Sequence, residues 1–272
     1  HEGNAAIAKA FRADDMAFLH YRSGAFMLER AKAQPSINMV KDILASLMAS
    51  VEDPIASGRH KVFGSYPLFV PPQTSTIASH LPKAVGTASS IKRAQTLGID
   101  DRLPHDSVIL CSFGDASVNH STALGAFNTA QWIAHQHVPL PLVFICEDNG
   151  WGISVPTPRD WIETKMAQQT GIEYIKADGL SLLETYHAAK QAEHIARIER
   201  RPVFLHLKML RLLGHAGTDV EWQYRDLASI EKDEANDPLL HTAKLLLDFD
   251  ILDAKGILDT YAAIKSEINE SA

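Results

Sequence analysis

The sequence has few cysteines, no excess of positive charge and no long apolar run, and each absence excludes a class of protein. Only two cysteines occur in 272 residues, which excludes a disulfide scaffold. The formal net charge is −7, and no Lys/Arg-rich stripe indicates nucleic-acid binding. No apolar run approaches the ~20 residues needed to span a bilayer. Because Cys111 and Cys146 each lie within an apolar run, we expect them to be small buried side chains in a reducing compartment.

The composition is that of a globular protein, with 46% hydrophobic and 22% charged residues. The length accommodates one large α/β domain or two small ones. We expect a single domain over residues 1–272. Because the chain begins with His1 rather than Met, we also expect it to be a fragment or a processed product that lacks its native N-terminus.

The middle of the chain alternates between apolar strands and amphipathic helices. Near-continuous apolar runs predict strands at 108–113, 141–146, 173–177 and 202–207, and periodic apolar positions predict helices at 122–135 and 181–200. Buried strands separated by helices are typical of an α/β fold, in which a parallel sheet has helices on both faces.

The flanking regions have helical composition, and three segments have no regular pattern. Helices are predicted at 4–12, 38–51, 81–97, 238–249 and 253–270. The irregular segments are 52–79, 150–159 and 210–225. Long loops within a compact domain are usually functional, so these segments are candidates for a site.

Two neighbouring strand ends carry polar residues suited to a metal and a phosphate. Gly114, which permits a tight turn, and Asp115, which offers a hard oxygen, end the first of them. The free N–H groups of the helix start at 116–118 suit a phosphate. Asn149 follows the next strand and offers an amide oxygen, and the nearby backbone offers carbonyls. Such a set can bind Mg²⁺, with diphosphate oxygens completing its coordination.

Gly114-Asp115 followed by Asn149 resembles the thiamine-diphosphate motif, in which Gly-Asp-Gly is followed by a spacer and then Asn. The chain is similar over essentially its whole length to the α subunit of the 2-oxo acid dehydrogenase decarboxylating component. The branched-chain (2-oxoisovalerate) type is most similar through residues 149–157. The resemblance implies a thiamine-diphosphate-binding fold and the cofactors thiamine diphosphate and Mg²⁺.

The resemblance assigns roles to individual residues. It implies Asp115, Asn149 and the main-chain carbonyl of Trp151 as Mg²⁺ ligands. It implies a catalytic role for His215, in the loop that closes the active site, and Arg225 belongs to the same segment. Besides Asp115, Asn149, Trp151 and His215, the cofactor contacts that it implies are Tyr21, Arg22, Ser75, Ile77, Gly114, Ala116, Ser117 and Ile153. A guanidinium such as that of Arg22 suits the diphosphate because it can bind phosphate oxygens bidentately.

The resemblance also implies an activity and partners. Members of this family decarboxylate a 2-oxo acid oxidatively and transfer the acyl group to a lipoyl-bearing acyltransferase. The cofactor supplies the electron sink. The glutamate that activates its aminopyrimidine comes from a β subunit, separate or fused, in a heterotetramer, and no glutamate of this chain has a comparable claim. The implied location is the cytoplasm of a bacterium or the mitochondrial matrix of a eukaryote, with no nucleic-acid or membrane partner.

The sequence departs from the family pattern in ways that leave alternatives open. Ala116 replaces the third motif glycine, the spacer before Asn149 is a few residues longer, and Ala216 stands where mitochondrial relatives carry a regulatory phosphoserine. A pyruvate or acetoin dehydrogenase α subunit is the nearest alternative. A non-catalytic assembly subunit on the same fold is an alternative of another class. A Rossmann-type nucleotide binder is disfavoured, because no G-x-G-x-x-G opens a helix.

Overall fold

Five parallel strands form the central sheet of the computed structural model, which describes residues 1–99 and 103–272. The strands of the described residues are β1 (Ala17–Phe18), β2 (Ile109–Gly114), β3 (Leu142–Asp148), β4 (Trp151–Gly152), β5 (Val155–Pro156), β6 (Glu173–Asp178) and β7 (Val203–Lys208). In the central sheet the order is β1-β2-β3-β7-β6, while β4 and β5 pair as a small antiparallel hairpin. The four strands predicted from apolar runs are therefore confirmed, each within two residues at either end.

Helices cover both faces of the sheet, as the α/β prediction requires. They are α1 (Asn4–Ala10), α2 (Gly24–Ala31), α3 (Met39–Leu47), α4 (Leu81–Leu97), α5 (Ser121–His135), α6 (Trp161–Met166), α7 (Leu182–His194), α8 (Leu227–Glu234), α9 (Pro238–Asp248) and α10 (Ala254–Ser271). α1, α2 and α7 pack on one face, and α4 and α5 pack on the other.

Alternation along β2 shows how one strand serves both cores. Leu110 contributes to the core beneath α1 and α7, whereas Ile109, Cys111 and Phe113 contribute to the core beneath α4 and α5. Successive side chains of a strand point to opposite faces, so a strand buried on both sides is mostly apolar, with Ser112 as the buried polar residue of β2. Cys111 is a fully buried free thiol, as is Cys146. Their predicted role as small buried side chains is confirmed.

Polar N-cap side chains mark the starts of α7 and α9, as the sequence predicts. The Ser181 hydroxyl accepts the backbone N–H of Glu184 at 3.3 Å at the start of α7. Asp237 caps α9, whose first residue is Pro238. α7 continues through a π-helical turn, Ile195–Glu199, to Arg200, which has a left-handed backbone. The predicted helix over 181–200 therefore ends close to the expected residue.

Six of the described strands and α-helices were not predicted from the sequence: β1, β4, β5, α2, α6 and α8. β1 is only two residues long and pairs with Leu110 and Cys111 of β2. It matters because it places the residues that follow it beside the ends of β2 and β3. Within the described parts of the chain, no helix combines the length and the apolar character needed to cross a membrane.

Candidate active site

Three neighbouring strand ends converge on a cavity of about 350 Å³. His20, Tyr21 and Arg22 follow β1, Asp115 follows β2, and Asn149 follows β3. β2 pairs in parallel with both β1 and β3, and Gly114 lies opposite Glu147. Since parallel strands end at the same edge of a sheet, all three sets of residues meet there, where ligands of α/β proteins bind.

Nearly all the residues that the resemblance singles out line this cavity. Ser75 is an exception, since it lines a smaller adjoining cavity of about 20 Å³, and Arg225 lies outside both. Ile77 and Ile153 would ordinarily be assigned to the core, but their side chains are 46% and 54% exposed. The cavity residues with predicted roles are Tyr21, Arg22, Ile77, Gly114, Asp115, Ala116, Ser117, Asn149, Trp151, Ile153 and His215.

Asp115 is the buried carboxylate of the cavity, only 1% exposed. The hydroxyl of Thr157 donates to its Oδ2 atom. Burial raises the pKa of Asp115 to about 6, and the charge of Asp148 acts in the same direction. Hydrogen bonds from Thr157 and from the backbone N–H of Asn149 oppose that rise in pKa. A cation bound here would relieve the cost of burying this charge.

The amide of Asn149 is held in one orientation by neighbours on both sides. Its Oδ1 accepts the backbone N–H of Trp151 at 3.0 Å. Its Nδ2 lies 3.1 Å from Nε2 of His1 and donates to it. These two hydrogen bonds distinguish the amide oxygen from the amide nitrogen. The oxygen keeps a second lone pair for a ligand.

The β4–β5 hairpin carries Trp151 and Ile153 at the rim of the cavity. Gly152 pairs with Val155, so Ile153 is the first residue of a two-residue turn, and its φ of 61° is left-handed. Positive φ is a genuine outlier for a β-branched residue and stores backbone strain. Arg211 donates to the carbonyl oxygen of Ile153 at 2.7 Å, and the N–H of Thr157 donates to that of Gly150 at 2.8 Å. These bonds hold the strained turn in place.

Arg22 and His215 contact each other across the cavity mouth. Nη2 of Arg22 donates to Nδ1 of His215 at 3.2 Å, which leaves the ring proton on Nε2. Burial, followed by the positive charges of Arg22 and Arg211, lowers the pKa of His215, so its imidazole is neutral near pH 7. The ring of Tyr21 meets that of His215 edge-on, with centroids 5.7 Å apart.

The loop that carries His215 is held by a polar network. Oδ2 of Asp219 accepts the N–H of His215 at 2.6 Å and the hydroxyl of Tyr224 at 2.7 Å. Nη1 of Arg225 pairs with Glu221 at 3.0 Å, and the guanidinium lies 5.2 Å from the ring of Trp151. Arg225 therefore anchors the loop behind the cavity rather than contacting a ligand within it.

One expectation about the first strand end was wrong, and the helix that follows this strand differs in type. Gly114 has an ordinary extended backbone, with φ −79° and ψ 158°, so the turn does not require glycine there. The N–H groups at 116–118 belong to a short 3-10 turn, Asp115–Asn119, and α5 begins only at Ser121. The helix start expected at 116–118 is thus a 3-10 turn, and the α-helix predicted at 122–135 begins at Ser121.

Sequence reasoning did not select His20 or Glu147. His20 lines the cavity, and Glu147 is hydrogen-bonded and fully buried. Asp148 is paired with Nε2 of His206 at 2.7 Å and with Lys208. Glu147 stands two residues before Asn149, and His20 directly before Tyr21, so proximity to predicted site residues was the available signal.

The donors in the cavity fit a divalent cation beside a polyanion. A carboxylate, a fixed amide oxygen and backbone carbonyls are the oxygen ligands that Mg²⁺ prefers. Arg22 supplies a guanidinium for anionic oxygens, and both kinds of group line one cavity. The residues present therefore fit Mg²⁺ together with a diphosphate.

The curated relatives that this chain matches include 2-oxoisovalerate dehydrogenase α subunits. The mitochondrial 2-oxoisovalerate dehydrogenase subunit alpha of Mus musculus is 25% identical over 253 residues, which is 91% of this chain and 52% of that protein. The subunit alpha 2 of Arabidopsis thaliana is 30% identical over 243 residues, 87% of this chain and 47% of that protein. The chain thus spans about half the length of these curated relatives.

A solved structure from Mycobacterium smegmatis, whose description provisionally assigns thiamin diphosphate dependence, aligns with a TM-score of 0.45 and 17% identity. The alignment covers 77% of this chain and 31% of that one. The sequence model of the dehydrogenase E1 component family matches residues 2–272. Because this match extends over nearly the whole chain, the protein belongs to the dehydrogenase E1 component family.

Proposed function

We propose that this chain is the α-type part of a 2-oxo acid dehydrogenase and binds the diphosphate–Mg²⁺ end of thiamine diphosphate. The observation that carries the proposal is the single cavity at three parallel strand ends, which brings Asp115, Asn149 and Arg22 together. The similarity to 2-oxoisovalerate dehydrogenase α subunits supports a branched-chain 2-oxo acid as substrate.

In this proposal, Asp115, Asn149 and the main-chain carbonyl of Trp151 hold Mg²⁺, and Arg22 binds diphosphate oxygens. Thr157 and the backbone N–H of Asn149 keep the Asp115 carboxylate in place. The bound cofactor supplies the electron sink for decarboxylation. Tyr21, Gly114, Ala116 and Ser117 enclose the cofactor, with Ile77 and Ile153 as apolar contacts and Ser75 contributing from the adjoining cavity.

His215 is the proposed catalytic residue at the mouth of the cavity. With its proton on Nε2, it is able to donate a hydrogen bond to the substrate carboxylate or to the acyl group in transfer. We expect His215→Ala to leave cofactor affinity unchanged and to reduce acyl transfer. Unchanged overall activity would remove this assignment.

The proposal includes a β partner and a lipoyl-bearing acyltransferase. Of the described residues that line the cavity, Asp115 alone carries a carboxylate, and its role is to bind the metal. As the resemblance implies, the glutamate that activates the aminopyrimidine comes from the β chain, separate or fused. The assembled enzyme then decarboxylates the 2-oxo acid and passes the acyl group to the lipoyl group.

Calorimetry of the complex between this chain and its β partner tests the proposal. Thiamine diphosphate with Mg²⁺ should release heat on binding to the wild-type complex and not to Asp115→Ala. Asp259→Ala, which removes an exposed carboxylate of α10, is the matched control and should bind like wild type. Absence of binding by the wild-type complex would favour the non-catalytic assembly role.

Substrate preference is tested separately, on a complex that has been shown to bind the cofactor. Activity with 2-oxoisovalerate should exceed activity with pyruvate. The reverse order would assign the chain to the pyruvate or acetoin type and would leave the cofactor proposal intact.

A further inference from the structure

We propose that His20 is an additional anion-binding residue of the cavity and that the buried carboxylate of Glu147 positions it. The inference rests on the proposed function, because the anion it binds there is the diphosphate of the cofactor. His20 directly precedes Tyr21 and Arg22, and Glu147 is the β3 residue opposite Gly114.

Glu147 is a fully buried carboxylate that contacts two histidine rings and one hydroxyl group. Its Oε2 atom lies 2.5 Å from Nδ1 of His1 and 3.3 Å from Nδ1 of His20. The hydroxyl of Ser23 donates to Oε1 at 3.0 Å. Among the residues that the structure describes, no lysine or arginine forms an ion pair with it. Because a buried charge is costly unless polar groups satisfy it, the two imidazoles and the Ser23 hydroxyl compensate the carboxylate.

The position of His20 is fixed on three sides. Its backbone N–H donates to the Ser112 hydroxyl at 2.8 Å, its Nδ1 faces Glu147, and its ring lies against Tyr21 with centroids 4.0 Å apart. These contacts leave one orientation for the ring. The atom that remains for a ligand is Nε2, which has no hydrogen-bond partner among the described residues.

Nε2 of His20 lies beside the strand end that precedes Asp115. A Cβ built on Gly114 would be 3.5 Å from it, and both residues line the cavity. Glycine therefore leaves the space next to the imidazole open to a ligand. This gives Gly114 a role that its ordinary backbone conformation does not.

The chemistry of this arrangement suits a polyanion. In the proposed complex, the Nδ1–H of His20 donates to Glu147 and the Nε2–H donates to a phosphate oxygen. The second bond is charge-assisted, as is the bond from the Arg22 guanidinium. His1 contacts the same carboxylate and also accepts from the amide of Asn149. Glu147 is thus a positioning residue for both the anion side and the metal side of the cavity.

Two substitutions of His20 separate its contacts. His20→Asn keeps a donor near the position of Nδ1 for Glu147 and removes the donor that faces the cavity. His20→Gln keeps a neutral donor near the position of Nε2. The ligands are inorganic pyrophosphate, thiamine diphosphate and unphosphorylated thiamine, measured by calorimetry with Mg²⁺ on the complex with the β partner.

We expect His20→Asn to weaken binding of pyrophosphate and thiamine diphosphate about tenfold or more, with thiamine affinity unchanged. His20→Gln should give a smaller loss. Glu147→Gln should reproduce the selective loss, and Glu147→Asp should restore part of it. His187→Asn, on the exposed side of α7, is the matched control and should bind like wild type.

Three other outcomes would overturn the inference. If wild type binds thiamine diphosphate and a folded His20→Asn, checked by thermal unfolding, binds pyrophosphate equally well, His20 has no such role and the proposed function stands. If wild type binds neither phosphate ligand, both proposals fail. Ligand nitrogens and oxygens of His1, His20 and Glu147 lie within 4.8 Å of one another. Tight Zn²⁺ binding that Glu147→Gln abolishes, with pyrophosphate affinity unchanged, would assign the cluster to a metal instead.

Discussion

The methyl group of Ala116 occupies the space that a side chain at position 152 would need: a Cβ built on Gly152 would lie 2.9 Å from Cβ of Ala116. Carbon atoms do not approach this closely without displacing one another. Ala116 stands where the resembled motif has glycine, so the sequence adds a methyl group at position 116. Position 152, which faces this methyl group, is glycine and carries no side chain. The departure at Ala116 is therefore accommodated within the site.

This pairing predicts that the two positions are coupled. Gly152→Ala should displace the β4–β5 hairpin, including the Trp151 carbonyl, and lower the affinity for thiamine diphosphate and Mg²⁺. Adding Ala116→Gly should restore it, because the second methyl is then absent. Calorimetry on the four members of the double-mutant cycle measures the coupling, for which we expect about 1–3 kcal/mol. Additive effects of the two changes would show that the methyl groups do not compete for the space.

Thr157 is predicted to be important through one hydroxyl group. It donates to Asp115, so Thr157→Val, which keeps the shape, should weaken metal binding, whereas Thr157→Ser should retain it. Loss of one hydrogen bond to a charged group corresponds to about 1.5–3 kcal/mol. Mn²⁺ affinity in the presence of thiamine diphosphate measures the effect. Equal affinities for the two variants would assign no role to the hydroxyl.

The sequence predicts the strands whose own residues form apolar runs. It does not predict a strand that forms only because it pairs with a neighbouring strand. β2 and β3 are continuous apolar runs, whereas β1 is the pair Ala17–Phe18 and is a strand because it hydrogen-bonds to β2. Nothing local to residues 17–18 requires an extended backbone. The segment that places Tyr21 and Arg22 at the site is thus fixed by long-range pairing.

The same distinction applies to the candidate site. Asp115 and Asn149 were predicted because each follows a recognisable strand, and the structure brings them to one cavity. The pair of His20 and Glu147 joins positions 127 residues apart, and residue types alone do not indicate such a contact. The positive φ of Ile153 is likewise imposed by the hairpin and by Arg211, against the preference of a β-branched residue.

His80 is predicted to reduce stability in acid. It is 7% exposed, and its Nε2 donates to the Ser112 carbonyl at 2.7 Å. Burial lowers the pKa of His80 to about 4 from an ordinary value of 6.5, and the charges of His20 and Lys83 act in the same direction. The native state therefore binds this proton more weakly than the unfolded state. Its contribution to stability is complete above pH 6.5 and is lost as the pH falls towards 4.

The shift in the His80 pKa corresponds to about 3 kcal/mol across that range. His80→Gln keeps an N–H for Ser112 and removes the proton-binding site, so the fall of Tm between pH 6.5 and 4 should become shallower. The exposed His187→Gln is the control and should follow wild type. Parallel Tm curves for His80→Gln and wild type would exclude His80 as the source of acid sensitivity.

Arg225 is predicted to keep the loop of His215 ordered. Its side chain is 2% exposed and pairs with Glu221 and Asp233. Removing one partner of a fully buried ion pair costs about 3–5 kcal/mol, and the cost here should be smaller because the side chains of Glu221 and Asp233 are 11% and 27% exposed. In Arg225→Gln, amide hydrogen exchange over residues 210–225 should be faster, with β2 and β3 unchanged. Arg201→Gln is the control, since Arg201 is 48% exposed and its ion pairs contribute little. Exchange that stays slow in Arg225→Gln would mean that Arg211 and Asp219 hold the loop without Arg225.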